Sequence, residues 1–547
     1  MNKNSPRAEL LQLHRRLYLK NRQVIADSVI PEDRSFAAYE ARYKRAVSSY
    51  QKIVTVDDVE KKIAVSDIVY VGDYHTLNQS QRSFLRVLRS FVKKSADFVI
   101  GFEIIRTRHQ PILDRYMRGR LSDDTFLKKI GFREHWFFDL WENFRPLFDF
   151  ARYHKIPIYG IEGDGEGGRL ARRDRETAGI IHEIRRKNPR KKIFVFVGDL
   201  HLAPSHLPRE VSNIFRKGRS QSSRSLGRQR RCSEKTSLKT VTLFQNSDAI
   251  YWKLAAKGKE DSLLVQIAEN QFCRMHTPPI IGQQSYLNWL EHEEGVFDYA
   301  DAKQTFIGYL ERIADFLGIR LPSDAEEVEV FTCGDLSFLK RLRETKAFSP
   351  RELKEIKRQI LNSESYYIPK KKFVYLANVS VNHAAEEASH TLKHLCTGDE
   401  FPRPMQDAFY ANALHEALGF FGSKIINPNR KCLHPSDAAT LVRYLEESHG
   451  ISARALQYQV AKLFLEHRNP FQAGKIKALS VDLFLGVTHA LGYFLGERIF
   501  YGLLSGFVTK EGIRSLFYDP MEEEGEPLRR YLELDKKLKK VKLPKKI

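Results

Sequence analysis

The sequence predicts an α/β fold, a parallel sheet covered by helices on both faces, followed by a mainly α-helical second domain. Three observations carry this expectation. Strand-like and helix-like runs alternate between residues 63 and 275. The strand-like runs are continuously apolar, as strands buried on both faces are. Three of them stop on residues that can do chemistry: Asp67 to His75 reads DIVYVGDYH, Asp97 to Glu103 reads DFVIGFE, and Lys191 to His201 reads KKIFVFVGDLH. In a parallel sheet all C-terminal edges face one way, so His75, Glu103 and His201 are expected to converge on one cleft.

The elements follow in order. Residues 1–62 are charged, and Leu10, Leu11, Leu13, Leu17 and Leu19 mark one amphipathic helix in this lead-in. The α/β domain is expected over 63–275, with strand 66–71, helix 78–94, strand 97–102 and a helical region over 109–154. A strand within 156–163, a helix over 170–187, the strand 192–197 and closing strands at 241–246 and 262–270 complete it. Such alternation implies right-handed crossovers. Residues 216–240 read as a disordered basic insertion, because RKGRSQSSRSLGRQRRCSEKTSLK offers almost nothing apolar to bury. No aromatic residue interleaves with its arginines, so no specific nucleic-acid motif is read there.

After Pro278 the pattern becomes helical, and a mainly helical domain is expected over 285–520, with a basic tail at 521–547. Two strand-like runs interrupt it, EVEVFT at 327–332 and KKFVYLANVSV at 371–381. The helical period places His383, Glu387, His390 and His394 on one face, read as a polar helix face. Glu446 and His449 repeat the E-x-x-H spacing at a helix end, where capping is the plain reading. Residues 483–508 are apolar, and Gly492/Gly496 and Gly502/Gly506 permit close helix approach. Glu497 and Arg498 interrupt that run before it reaches membrane-spanning length, so a buried helical hairpin is expected.

Composition bounds the function. With 547 residues, two or three folding units are expected, and 42% hydrophobic content excludes wholesale disorder. Ninety Lys and Arg against 68 Asp and Glu give a formal charge of +22, which suits peripheral contact of the basic segments with an anionic membrane or an acidic partner. Five dispersed cysteines without a C-x-x-C pair read as free thiols of a reducing compartment and exclude a thiolate zinc site. The first residues show no apolar leader core, so a cytoplasmic location, with membrane-peripheral contact as the alternative, is the expectation.

The chemistry rests on two copies of G-x-x-H, Gly72-Asp73-Tyr74-His75 and Gly198-Asp199-Leu200-His201, each directly after a buried-looking strand. Glycine lets the chain turn sharply there. Neutral imidazole is the commonest metal ligand, and a strand-end carboxylate, Glu103, completes such a set or acts as a general base.

This double motif with an intervening G-F-E resembles the superfamily that joins ChaN-like haem-binding proteins, Tiki metalloproteases and erythromycin esterases. The ChaN-like group is the nearest in pattern, over residues 65–210: QPILDRYMRGRLSDDTF at 110–126, the tryptophans Trp136 and Trp141, ARRDRETAGII with Arg173 and Asp174 in the family's positions, and GDLHLAPSHLP. Asp73 stands where the family commonly has glutamate, and Asn78, Gln79 and Gln81 where it has further histidines. The ChaN resemblance implies binding of haem or iron without turnover, with His75 and His201 as cofactor ligands. A tyrosine can ligate the iron in haem-binding relatives, and Tyr74 stands in the motif. The resemblance to the proteases and esterases implies metal-dependent hydrolysis of a small molecule or peptide. His75, Glu103 and His201 would then hold a divalent ion (iron, manganese, cobalt or zinc), with Asp73 or Asp199 as base and Arg173 stabilising an oxyanion. A non-catalytic scaffold that binds an acidic partner is the third reading.

Overall fold

An eight-stranded sheet, order β1-β7-β8-β6-β2-β5-β3-β4, organises the first part of the chain. Its strands are β1 (Lys52–Ile53), β2 (Ile68–Asp73), β3 (Phe98–Arg106), β4 (Ile158–Glu162), β5 (Lys192–Gly198), β6 (Thr240–Gln245), β7 (Leu264–Ala268) and β8 (Gln271–Arg274). The computed structural model describes residues 5–28, 34–132, 140–164, 170–225, 238–293, 299–332, 337–361, 365–377, 380–398, 401–447, 455–467 and 469–544. The chain forms two units, residues 18–290, and residues 1–17 together with 291–547.

The α/β architecture is as the sequence predicts. Parallel pairing joins β4, β3, β5, β2, β6 and β8, and every residue of β2 and β5 is buried. Val69, Val71, Ile100, Phe102, Phe194 and Phe196 pack with Phe84 of the helix Asn78–Val92 and with Phe144 and Phe148 of the helix Trp141–Tyr153. Phe84 stacks on Phe196 with ring centroids 4.4 Å apart, and Phe102 on Phe148 at 5.0 Å. The alternate residues Ile68, Tyr70, Val99, Ile193 and Val195 are fully buried too, which is why these strands read as unbroken apolar runs.

Three details depart from the sequence reading. The closing run at 262–270 turns at Glu269–Asn270 and returns as β8, which pairs parallel with β6 and leaves β7 antiparallel outside it. From the lead-in, β1 adds to β7 at the sheet edge, Lys52 facing Gln266. The helix Leu207–Ser225 continues into the basic insertion, whose Arg, Ser and Gln residues include no proline to stop it. The rest of that insertion, 226–237, lies outside the described residues, as do Trp136 and His449.

In the second unit the helix Met405–Ile426 packs against the helices Val381–Thr397 and Val481–Leu504. The close approach expected at Gly492 and Gly496 is present: a Cβ on Gly492 would lie 2.6 Å from the carbonyl oxygen of Ala413, and one on Gly496 2.4 Å from that of Ala417. Glu497 and Arg498 are buried, Arg498 against Asp535 at 2.5 Å. A small sheet, order β10-β11-β9, is formed by β9 (Glu329–Thr332), β10 (Tyr366–Ile368) and β11 (Phe373–Leu376). The basic tail contains a helix, Glu526–Leu538, that buries Tyr531 and Leu538, so its apolar face is occupied. Cys273, Cys396 and Cys432 are free thiols. Among the described residues no helix is long and apolar enough to cross a membrane.

Candidate functional site

The parallel register decides which strand ends meet. Asp73 of β2 lies opposite Gly198 of β5, and Phe102 of β3 opposite Phe196 of β5. Beyond Phe102 the pairing of β3 with β4 shifts register before it resumes at Arg106 and Glu162. Glu103 falls within that irregularity, where a side chain is re-aimed out of the pleat.

His75, Glu103 and His201 therefore come together. A Cβ built on Gly198 would stand 3.3 Å from His75 Nε2, 3.4 Å from Glu103 Oε2 and 3.5 Å from His201 Cδ2. The backbone angles at Gly198 (φ −47°, ψ 133°) suit any residue, so what the glycine contributes there is room beside the three side chains.

Each imidazole is held from behind by a carboxylate. His75 Nδ1 lies 2.8 Å from Asp73 Oδ2, and His201 Nδ1 lies 2.6 Å from Asp174 Oδ1. Gln81, in a position where the resembled family has histidine, donates from Nε2 to Asp73 Oδ1 at 2.6 Å. The Tyr39 hydroxyl donates to Asp174 Oδ2 at 2.8 Å. Fixing one ring nitrogen this way sets the direction of the other.

Glu103 is buried and met by cations and a donor. Arg173 reaches its Oε1 at 2.9 Å, the Gly198 amide donates to Oε2 at 2.5 Å, and His201 Nε2 lies 3.5 Å from Oε1. Burial pushes this carboxyl up, but the neighbouring His201, Arg173 and His75 outweigh it and hold the group below its ordinary value. Arg173 also pairs with Glu162 at 3.0 Å. Burial pulls His75 down, yet the hydrogen bond and charge of Asp73 and the charge of Glu103 leave it raised. Asp73 itself is raised, chiefly by burial.

Asp199 and Tyr74 point elsewhere. Asp199 is sealed between the Tyr43 hydroxyl, the Gln245 amide at 3.1 Å and the face of Gly72, and burial raises its carboxyl to about 7. The Tyr74 ring lies toward Gly282, with Asp248, Tyr286 and Tyr18 as its electrostatic neighbours. Of the acidic residues at and beyond the end of β4, Glu162 joins the network through Arg173, whereas Asp164 is at the surface near the Arg108 backbone amide, 3.4 Å away.

Among the described residues, the sets of three His, Cys, Asp or Glu donors lying mutually within 4.8 Å are Cys432–His434–Glu497 and Glu386–His390–Glu416. The strand-end trio is not one of them, so it does not form a closed three-ligand cage. Sequence reasoning missed Tyr39 and Tyr43, one turn apart on the helix Arg34–Ala46, and Gln245. Asp174 and Gln81 had a signal, their places in the resembled segments, though not their roles.

No curated protein matches the chain. Among solved structures, one described as "Cofacial heme binding to ChaN of Campylobacter jejuni" is 12% identical, with a TM-score of 0.25, over 36% of this chain and 88% of that one. Residues 59–173 match a family model described as haem-binding uptake, Tiki superfamily, ChaN. That match spans β2, β3 and β4 and ends at Arg173, so it is the part of the α/β unit carrying His75 and Glu103 that resembles the ChaN-like family of the Tiki superfamily.

Proposed function

We propose that the strand-end cluster binds haem, with His75 Nε2 as the iron ligand and Glu103, His201 and Arg173 forming the polar floor beneath it. The observation that carries this reading is the convergence of His75, Glu103 and His201 within 3.5 Å of one point at Gly198. The description of the matching family supplies haem as the ligand class.

The residues fit that group. A haem iron takes a single imidazole, and His75 offers one whose other nitrogen is fixed by a buried carboxylate, the pairing that orients the ring and raises its basicity. Its side chain is 20% exposed, against 9% for His201 and 6% for Glu103, so an incoming ligand meets His75 first. When bound, the haem iron supplies an open coordination position or a redox couple. The chain contributes an oriented imidazole, a buried anion at Glu103 that balances the charge of Arg173, and a glycine that keeps the approach open.

The same donors suit a divalent ion, the basis of the hydrolase reading, but two observations favour haem. Among the described residues His75, Glu103 and His201 do not form a set of donor atoms lying mutually within 4.8 Å, the spacing a small ion requires of its ligands. Arg173 and Asp199, the oxyanion stabiliser and the second base of that mechanism, are engaged with Glu103 and Glu162 and with Tyr43 and Gln245. Titration of the full chain with ferric haem, followed by absorbance, tests the proposal. A saturable one-to-one shift of the Soret band supports it, and an unshifted spectrum ends it.

A further inference from the structure

The helix Val381–Thr397, read from sequence as presenting a polar face, turns that face into the helical unit. Glu386, Glu387 and His390 are 4%, 5% and 8% exposed. Across from them the helix Met405–Ile426 brings His415 and Glu416, and the helix Val481–Leu504 brings His489. The His390 and His415 rings stack with centroids 4.1 Å apart, and His489 Nδ1 lies 3.1 Å from Glu416 Oε2.

Two observations point to a ligand. Donor atoms of Glu386, His390 and Glu416 lie within 4.8 Å of one another. Among the described residues Glu386 Oε1, Glu387 Oε2 and His390 Nε2 are buried and find no hydrogen-bond partner, a state that buried polar atoms avoid. Of the three carboxylates, Glu386 is met by the Arg430 guanidinium at 2.8 Å, Glu387 by the His390 imidazole at 3.7 Å and Glu416 by the His489 imidazole at 3.1 Å. The absence of a side chain at Gly419 is what admits the His390 ring between the helices, since a Cβ there would overlap that ring.

We propose that this helical core is a binding site for one divalent first-row transition metal ion, ligated by Glu386, His390 and Glu416. Two carboxylates and an imidazole from facing helices are a donor set suited to iron, manganese, cobalt or zinc. Glu387 and His489 flank the ligands and orient them. The neighbouring set Cys432–His434–Glu497 is a weaker candidate, because Lys424 and His434 already meet its carboxylate.

Cobalt(II) added to the full-length protein tests the site, read by d–d absorption and by X-ray absorption of the ion's first shell. The expected result is one retained ion with nitrogen and oxygen ligands including imidazole. The bands should be unchanged in His75→Ala and Cys432→Ser, and affinity should fall at least about tenfold in Glu416→Gln. Sulfur in the first shell, no retained ion, or bands lost in His75→Ala and kept in Glu416→Gln would overturn the proposal. If Glu416→Gln loses its helical circular dichroism, Glu386→Gln replaces it. If both unfold, the wild-type first shell decides.

Discussion

Gly198 faces His75 Nε2 so closely that a single added methyl group would stand 3.3 Å from it. The backbone at Gly198 is ordinary for an L-residue, so Gly198→Ala introduces crowding without backbone strain. The variant should fold with a loss of no more than about 1–3 kcal/mol while its haem affinity falls. Paired chemical unfolding and haem titration check this, and unchanged affinity would remove Gly198 from the binding site.

Arg173 is, with His201 and His75, one of the groups that make burial of Glu103 tolerable. Removing it in Arg173→Leu leaves that carboxylate to the Gly198 amide and the imidazoles and should destabilise the α/β unit by about 1–3 kcal/mol. In Arg173→Leu/Glu103→Leu most of that loss should return. Urea unfolding of the two variants provides the comparison, and equal losses would show that the pairing contributes little.

Gly72 contrasts with Gly198. A Cβ there would lie 1.5 Å from Asp199 Oδ1 and must expel the side chain from its bonds with Tyr43 and Gln245. Gly72→Ala should therefore lower stability by about 1–3 kcal/mol, read as a drop in unfolding midpoint. A midpoint equal to wild type would mean that Asp199 moves freely.

In the helical unit His14 is buried with Nε2 on the Ile425 carbonyl at 2.7 Å, and burial pulls its imidazole down to about 4 from an ordinary 6.5. Between those values the unfolded chain binds the extra proton, so stability falls as pH drops through this window. The full loss is about 3 kcal/mol, reached below the folded value. Unfolding of wild type and His14→Gln across the acid range measures it, and parallel curves would count against the assignment.

The meeting of strand ends was legible because parallel β-strands declare themselves as unbroken apolar runs and a glycine marks where each one stops. Arg173 and Asp174 are neighbours in sequence, yet they serve different partners, Glu103 and His201. Sequence pattern flagged both through the resembled segment, but only geometry separated their roles. Tyr39 and Tyr43 were not legible, since a tyrosine on a charged lead-in helix has no periodic signature of contact with a carboxylate more than a hundred residues away. Asp199 was misleading for a related reason. The turn after β5 sends it toward Tyr43 and Gln245, and a strand-end motif does not encode which way its second residue faces. The burial of Glu387 and His390 was invisible because a helix with packing on several sides shows polar residues without revealing which of them face inward.

The most direct test concerns the residue that would hold the haem iron. Resonance Raman or magnetic circular dichroism spectra of the haem-loaded full chain should report histidine ligation. The signature should vanish in His75→Ala and persist in Tyr74→Phe, whose ring is turned toward Gly282. Histidine ligation that survives in His75→Ala, or a tyrosinate signature abolished by Tyr74→Phe, would contradict the account.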